Sequence, residues 1–183
     1  MKVEKTFIPG LLVIEPDFFP DNRGYFFESF NKEKYIDAGI TVEFVQDNLS
    51  KSTKHTVRGL HYQAGEFAQG KLCQVITGTV LDVALDVRFG SPTFGKHFSV
   101  ELSGENHKQI WIPPGFAHGF SVLTDEAIFS YKCTAKYDKP SERSIIYNDP
   151  VLGIEWKVDS PIVSDKDLKA KIFAEIEKEF FFT

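Results

Sequence analysis

His61 sits in Val57-Arg58-Gly59-Leu60-His61-Tyr62-Gln63, a short stretch that carries both a fixed cation and a titratable base. Tyr131 sits in a second such stretch, Phe129-Ser130-Tyr131-Lys132-Cys133-Thr134. An imidazole titrates near neutral pH and can take a proton from a weak acid, which a phenol can then return. On facing strands of a small barrel the two would move protons to and from a carbon acid without a cofactor. Each alone is weak. A lone histidine in a strand is more often structural than catalytic, and Tyr131 shares a face with Phe129 as an ordinary core tyrosine would. What raises His61 is its company: Arg58 upstream, Lys71 downstream, and Gln46-Asp47-Asn48 on a preceding segment.

Strict alternation along a strand places Arg58 and His61 on opposite faces. A bulge at Gly59 would re-aim one of them; without it they serve different parts of a site. Lys71 has the solvated fate of most strand lysines as its plain alternative. Pro113-Pro114-Gly115-Phe116-Ala117-His118 carries the P-x-G-x-x-H pattern of the second half of a cupin metal motif. The first half needs two His and a Glu, and that stretch offers only His61 beside Tyr62 and Gln63. First-row metals want about three compatible protein ligands, so a barrel without metal is the better reading.

The elements that must position these groups are mostly strands. Leu81, Val83, Leu85 and Val87 alternate with Asp82, Ala84, Asp86 and Arg88, the period of a half-buried strand. Lys71 to Ile76 precedes it, and Thr77-Gly78-Thr79 reads as the turn of a hairpin joining the two. Phe98, Val100 and Leu102 alternate again before the turn Ser103-Gly104-Glu105-Asn106. Gln109 to Ile112 is stopped by Pro113-Pro114-Gly115, because proline cannot donate to a ladder. Ala127, Phe129, Tyr131 and Cys133 share one face. Many short strands between turn signals indicate a mainly β protein, a double-sheet barrel or jelly roll, with short peripheral helices. One helix is expected over 31–38. A second is expected over 164–180, with Leu168, Ile172 and Ile176 as its stripe, Ser164 as N-cap and Asp167 in the capping-box position. In that frame Asp167 caps the helix. Phe180-Phe181-Phe182 is apolar enough to dock on the domain or on a partner subunit.

The 183 residues suit a single domain, 1–183, with no linker or repeat to divide it. Eighteen Phe against one Met suit an aromatic-lined interior. The net charge of −5 argues against a nucleic-acid binder, which needs a basic stripe, but leaves room for a small anionic ligand held by a few converging cations. No apolar run suggests a signal peptide or a membrane span. Cys73 and Cys133 lack metal-type spacing and read as two buried thiols of a cytoplasmic protein.

Taken together, several segments resemble the dTDP-4-dehydrorhamnose 3,5-epimerase family. They are Asp21-Asn22-Arg23-Gly24-Tyr25-Phe26-Phe27-Glu28, Val45-Gln46-Asp47-Asn48, Arg58-Gly59-Leu60-His61-Tyr62-Gln63 and Gln69-Gly70-Lys71-Leu72. Further on come Pro113 to Phe120, Tyr131 to Tyr137, Asn148-Asp149-Pro150 and Ser164-Asp165-Lys166-Asp167. The agreement runs in order over nearly the whole chain, with small departures at Lys136 and Thr56-Val57. The resemblance implies a cupin-type double-stranded β-helix (jelly roll), a homodimer, no metal or organic cofactor, and a dTDP-4-keto-6-deoxyhexose as substrate. By position, His61 resembles the family's proton-abstracting base, Asp167 the carboxylate that orients it, and Tyr131 the acid on the other face. Lys71 would lie by the sugar's C4 oxygen. Arg23, Glu28, Gln46, Asn48, Arg58, His118, Glu142 and Lys166 match ligand-contacting positions, and Tyr137 matches the residue that stacks on thymine. Arg23 and Glu28 are implied to complete the partner's site. An epimerase of the same family acting at C3 or C5 alone is the nearest alternative. A metal-dependent cupin oxygenase and a non-catalytic carbohydrate-binding barrel are the others, and neither explains a base, phenol, lysine and arginines together.

Overall fold

The computed structural model describes residues 1–183. Thirteen strands and one short helix carry the architecture. The strands are β1 (Lys2–Lys5), β2 (Leu12–Glu15), β3 (Phe18–Asp21), β4 (Gly24–Phe27), β5 (Gln46–Thr53), β6 (Val57–Gln63) and β7 (Lys71–Thr77). There follow β8 (Thr79–Asp86), β9 (His97–Ser103), β10 (Gln109–Ile112), β11 (Phe116–Val122), β12 (Glu126–Cys133) and β13 (Glu142–Ser144). Helix α1 (Lys32–Asp37) falls where the sequence places one, capped by the Asn31 side chain accepting from the Lys34 N–H.

The strands form two facing antiparallel sheets, a cupin-type jelly roll. One has six strands in the order β1-β2-β10-β7-β12-β5, the other five in the order β13-β6-β11-β8-β9; β3 and β4 make a separate hairpin. Between the sheets lies a core to which both contribute, with Cys73, Val75, Ile110 and Phe129 meeting Val80, Ala84, Leu102 and Phe120. The outer face of the five-stranded sheet is buried too, its Leu60, Leu81, Val83 and Leu85 covered by Leu152, Trp156 and the C-terminal segment. Under α1, Tyr35 and Ile40 seal Leu12, Ile14, Leu72 and Trp111 on the outer face of the six-stranded sheet.

Three expectations are corrected. First, β8 is not half-buried. Leu81, Val83 and Leu85 face the covered outer side, while Val80, Asp82 and Ala84 are sealed in the interior. A central strand between two layers has no solvent face, so its aspartates are interior groups. Second, Thr77-Gly78-Thr79 is not a hairpin turn. β7 pairs with β10 and β12, β8 with β11 and β9, so this turn carries the chain from one sheet to the other. Gly78 is required there: φ is +80°, and a Cβ would lie 2.1 Å from the Glu126 carbonyl oxygen.

Third, no helix spans 164–180; only short 3₁₀ turns form, at Asp167–Lys169 and Phe173–Glu175. The backbone groups of this segment bond to distant partners instead. Ile146 N–H donates to the Lys171 carbonyl, Phe89 N–H to that of Phe180, and Phe173 N–H to the Asp149 carboxylate. Leu168 and Ile172 are largely exposed, so the stripe does not face a core, whereas Ile176 and Phe180 pack on the five-stranded sheet. The terminal phenylalanines dock on the domain itself: Phe180 meets Tyr62, Phe181 meets Phe89 and Phe182 lies by Arg88. Both cysteines are free and buried. No helix is long and apolar enough to cross a membrane.

Candidate active site

A cavity of about 510 Å³ opens between the sheets, with His61, Lys71, His118, Tyr131, Lys166 and Asp167 in its lining. Arg58 lines it as well. Its presence beside His61 settles the question of alternation. Across β6 and β11, His61 pairs with His118 and Arg58 with Phe120, so three steps on β6 match two on β11. That extra residue is a β-bulge, and it turns Arg58 and His61 toward one cavity. Gly59 makes the bulge possible. Its φ is +130°, and a Cβ there would lie 2.5 Å from Gly119 Cα. Gly119 is held to glycine by the same contact, since its own Cβ would meet the Arg58 carbonyl oxygen at 2.7 Å.

His61 Nε2 donates to Asp167 Oδ1 at 2.7 Å, which leaves Nδ1 as the ring nitrogen available to a ligand. Asp167 also accepts from the Gly59 N–H at 3.4 Å, and its own N–H donates to Ser164 Oγ at 3.2 Å. Ser164 thus accepts from the Asp167 N–H, but the single 3₁₀ turn that forms has Lys166 at its N-cap, and the Asp167 carboxylate reaches across to β6 rather than back to its own backbone. Burial alone would raise the Asp167 carboxyl. The His61 hydrogen bond and charge, with help from Gly59 and Ser164, outweigh it and hold the group below its ordinary value.

Tyr131 and Lys71 come from the opposite sheet, on neighbouring strands with the Lys71 ammonium 5.9 Å from the Tyr131 ring centre. Burial is the main reason that the Tyr131 phenol is pushed up to about 12. It stays protonated across the working range, as a proton donor must. Arg58 is steadied by donating from Nε to Ser52 Oγ at 3.0 Å.

The remaining predicted contacts divide. On β5, Asn48 is the cross-strand partner of Tyr131, and Gln46 donates to Asn48 Oδ1 at 3.0 Å. Gln46 Oε1 in turn accepts the Tyr137 N–H at 2.9 Å. The Tyr137 hydroxyl donates to Glu142 at 3.1 Å, and Lys166 closes an ion pair on the same carboxylate. These four residues lie outside the cavity's lining and connect to it through Lys166 and Tyr131. Arg23 and Glu28 do not. Arg23 is 85% exposed and paired with Asp21 on the β3–β4 hairpin, and Glu28 is bound to Lys34 and Asn31.

Sequence reasoning passed over Asp82, which lies under His118 with Oδ2 2.8 Å from Nε2. The available signal was an acidic residue inside an apolar strand, and a half-buried reading turned it outward. Cys73, Asp82 and His118 offer one ligand atom each within 4.8 Å of one another. As they stand they fit a proton better than a cation: the imidazole nitrogen is already given to the carboxylate, and burial lifts the Cys73 thiol well above its ordinary range.

A sequence model of one family, described as dTDP-4-dehydrorhamnose 3,5-epimerase, matches residues 5–175. The chain belongs to that family. It is 53% identical over 178 residues to the dTDP-4-dehydrorhamnose 3,5-epimerase of Shigella flexneri, covering 97% of this chain and 98% of that one. Among solved structures it superposes with a TM-score of 0.96 on a dTDP-6-deoxy-D-glucose-3,5-epimerase from Legionella pneumophila Philadelphia 1 in complex with dTDP-4-keto-L-rhamnose. That match is 48% identical and covers 100% of this chain and 98% of the other. A 3'-monoepimerase from Streptomyces bikiniensis in complex with dTDP-quinovose is more distant, at 34% identity and a TM-score of 0.87, covering 92% of this chain and 86% of the other.

Proposed function

We propose that this chain is a dTDP-4-dehydrorhamnose 3,5-epimerase that converts dTDP-4-dehydro-6-deoxy-D-glucose to dTDP-4-dehydro-L-rhamnose, a step of dTDP-L-rhamnose biosynthesis. The observation that carries the reading is the His61–Asp167 pair facing Tyr131 and Lys71 across one cavity. In a 4-keto sugar the C–H bonds at C3 and C5 are acidic, because loss of either proton gives an enolate delocalised onto the C4 oxygen. Inverting a centre then needs a base on one face of the ring and an acid on the other.

His61 Nδ1 takes the proton, and Asp167 behind Nε2 stabilises the imidazolium that forms. Lys71 meets the charge on the C4 oxygen, a kind of contact worth about 2.7–4 kcal/mol where single oxyanion donors are removed. Tyr131, from the opposite sheet, returns a proton to the far face. Arg58 grips the diphosphate with its forked donors, and Tyr137 stacks on the thymine, which leaves the sugar in register with the base.

The same reading takes the molecule as one domain and a homodimer. Supporting the dimer, the β3–β4 hairpin exposes Phe19, Tyr25 and Phe26 beside Arg23, an apolar patch unusual on a monomer. A second copy would bring its Arg23 and Glu28 to this cavity. The two free buried thiols support a reducing, cytoplasmic location.

Incubation with dTDP-4-dehydro-6-deoxy-D-glucose in heavy water tests the assignment. Deuterium should enter at both C3 and C5. Label at C3 alone would make the chain a mono-epimerase, and no label would refute enolisation.

A further inference from the structure

Two aspartates of β8 are completely buried, and they are treated very differently. Asp86 is satisfied on every side: Arg88 Nε and Nη2, Ser91 Oγ and Thr93 Oγ1 all donate to it at 2.7–2.8 Å. Asp82 accepts from His118 Nε2 at 2.8 Å, and its other oxygen, Oδ1, has no donor at all. A sealed carboxylate with one neutral partner costs stability, and an apolar residue of similar size would pack better there. Its presence is explained by what it does to His118.

His118 is the cross-strand partner of His61, so the two imidazoles stand side by side on one wall. The ring is held in place by Phe129, stacked at 5.9 Å, and by the Cys73 thiol 4.0 Å from Nε2. With Nε2–H given to Asp82, a neutral His118 keeps an unprotonated Nδ1. That atom bonds to nothing in the protein and is not among its sealed polar atoms, so it is part of the edge that lines the cavity.

We propose that Asp82 is a positioning residue for the reaction: it locks His118 in the Nε2–H tautomer, so that Nδ1 accepts the hydrogen of a ring hydroxyl at C2 or C3 of the bound sugar. An acceptor cannot stabilise the enolate oxygen. That task falls to Lys71, while the hydroxyl contact fixes the rotation of the ring that points C3–H and C5–H at His61. The inference rests on the reading that this cavity takes the 4-keto sugar, and it concerns only the sugar end of the ligand.

Nitrogen-15 NMR of the imidazoles in the wild-type enzyme should find His118 protonated at Nε2 and bare at Nδ1. Asp82→Asn, whose amide can donate to Nε2, should move that proton to Nδ1 and present a donor where the sugar needs an acceptor. KM for the sugar nucleotide should then rise about tenfold, the scale of one lost hydrogen bond, with a smaller change in kcat. The Kd of dTDP alone should not move. A wild-type spectrum with the proton on Nδ1 overturns the proposal without any variant. So does an unchanged KM in Asp82→Asn, or a dTDP Kd that rises in step with KM, which would mean a collapsed site. Zinc retained at one equivalent through chelation and lost in Cys73→Ala would also overturn it, because Nε2 would then be a metal ligand. Wild-type labelling at C3 and C5 in heavy water stands apart from all these outcomes, so failure of the proposal does not count against the epimerase assignment.

Discussion

The cavity holds two His–Asp pairs that look alike and are built differently. In each, Nε2 gives its proton to a carboxylate, at 2.7 Å for His61–Asp167 and 2.8 Å for His118–Asp82. The His61 side chain is 29% exposed and that of His118 only 7%. Asp167 arrives on a C-terminal segment that carries only short turns, and its second oxygen accepts from the Gly59 N–H. Asp82 arrives on a strand buried on both faces and is left half satisfied. The deeper histidine is held neutral mainly by burial, against the pull of Asp82. A base must reach its proton and tolerate a charge, so it belongs at the open mouth with a partner whose two oxygens are both hydrogen-bonded. A fixed acceptor needs neither, and can be sealed in.

The sharpest way to break that contrast is at the bases. His61→Asn should lower kcat/KM by about 10⁴-fold, the upper range for a general base, and should abolish deuterium uptake at both carbons. If any uptake survives His61→Asn but is lost when His118 is also replaced, the two pairs share the work and the contrast fails.

Next in size is the opposite wall. Tyr131→Phe should cost about 10²-fold, since water can substitute for a proton donor more easily than for a placed base. Steady-state rates and the ratio of label at C3 to C5 measure it. A loss as large as that of His61→Asn would place the two walls on an equal footing.

The smallest effect is on stability. The Asp167 carboxyl is held below its ordinary value of 3.8, so the stabilisation it contributes is present above that pH and disappears as pH falls through the lowered folded-state value. Asp167→Asn should therefore be less stable than wild type at neutral pH, and the gap should close below about pH 3.8. Urea titrations at a series of pH values would show it; a gap that widens in acid would contradict the assignment of charge to this pair.

Much of the strand pattern was legible in the chain alone. Alternating apolar residues marked β8, β9 and β12 because successive side chains point to opposite faces of any strand, and Pro113-Pro114-Gly115 marked a strand end for reasons that are local. Family membership was legible too, since its motifs are contiguous. The remainder depended on contacts between distant segments. Whether Thr77-Gly78-Thr79 turns within a sheet or crosses between sheets depends on which strands accept hydrogen bonds from β7 and β8, and those partners lie far along the chain. The i, i+4 pattern of Leu168, Ile172 and Ile176 promised a helix, but Ile146, Phe89 and Asp149 offered the backbone other partners and freed Asp167 to reach His61. Asp82 was misread for the same reason: one strand's periodicity shows that its faces differ, but only the layers packed on both sides decide that neither face meets water.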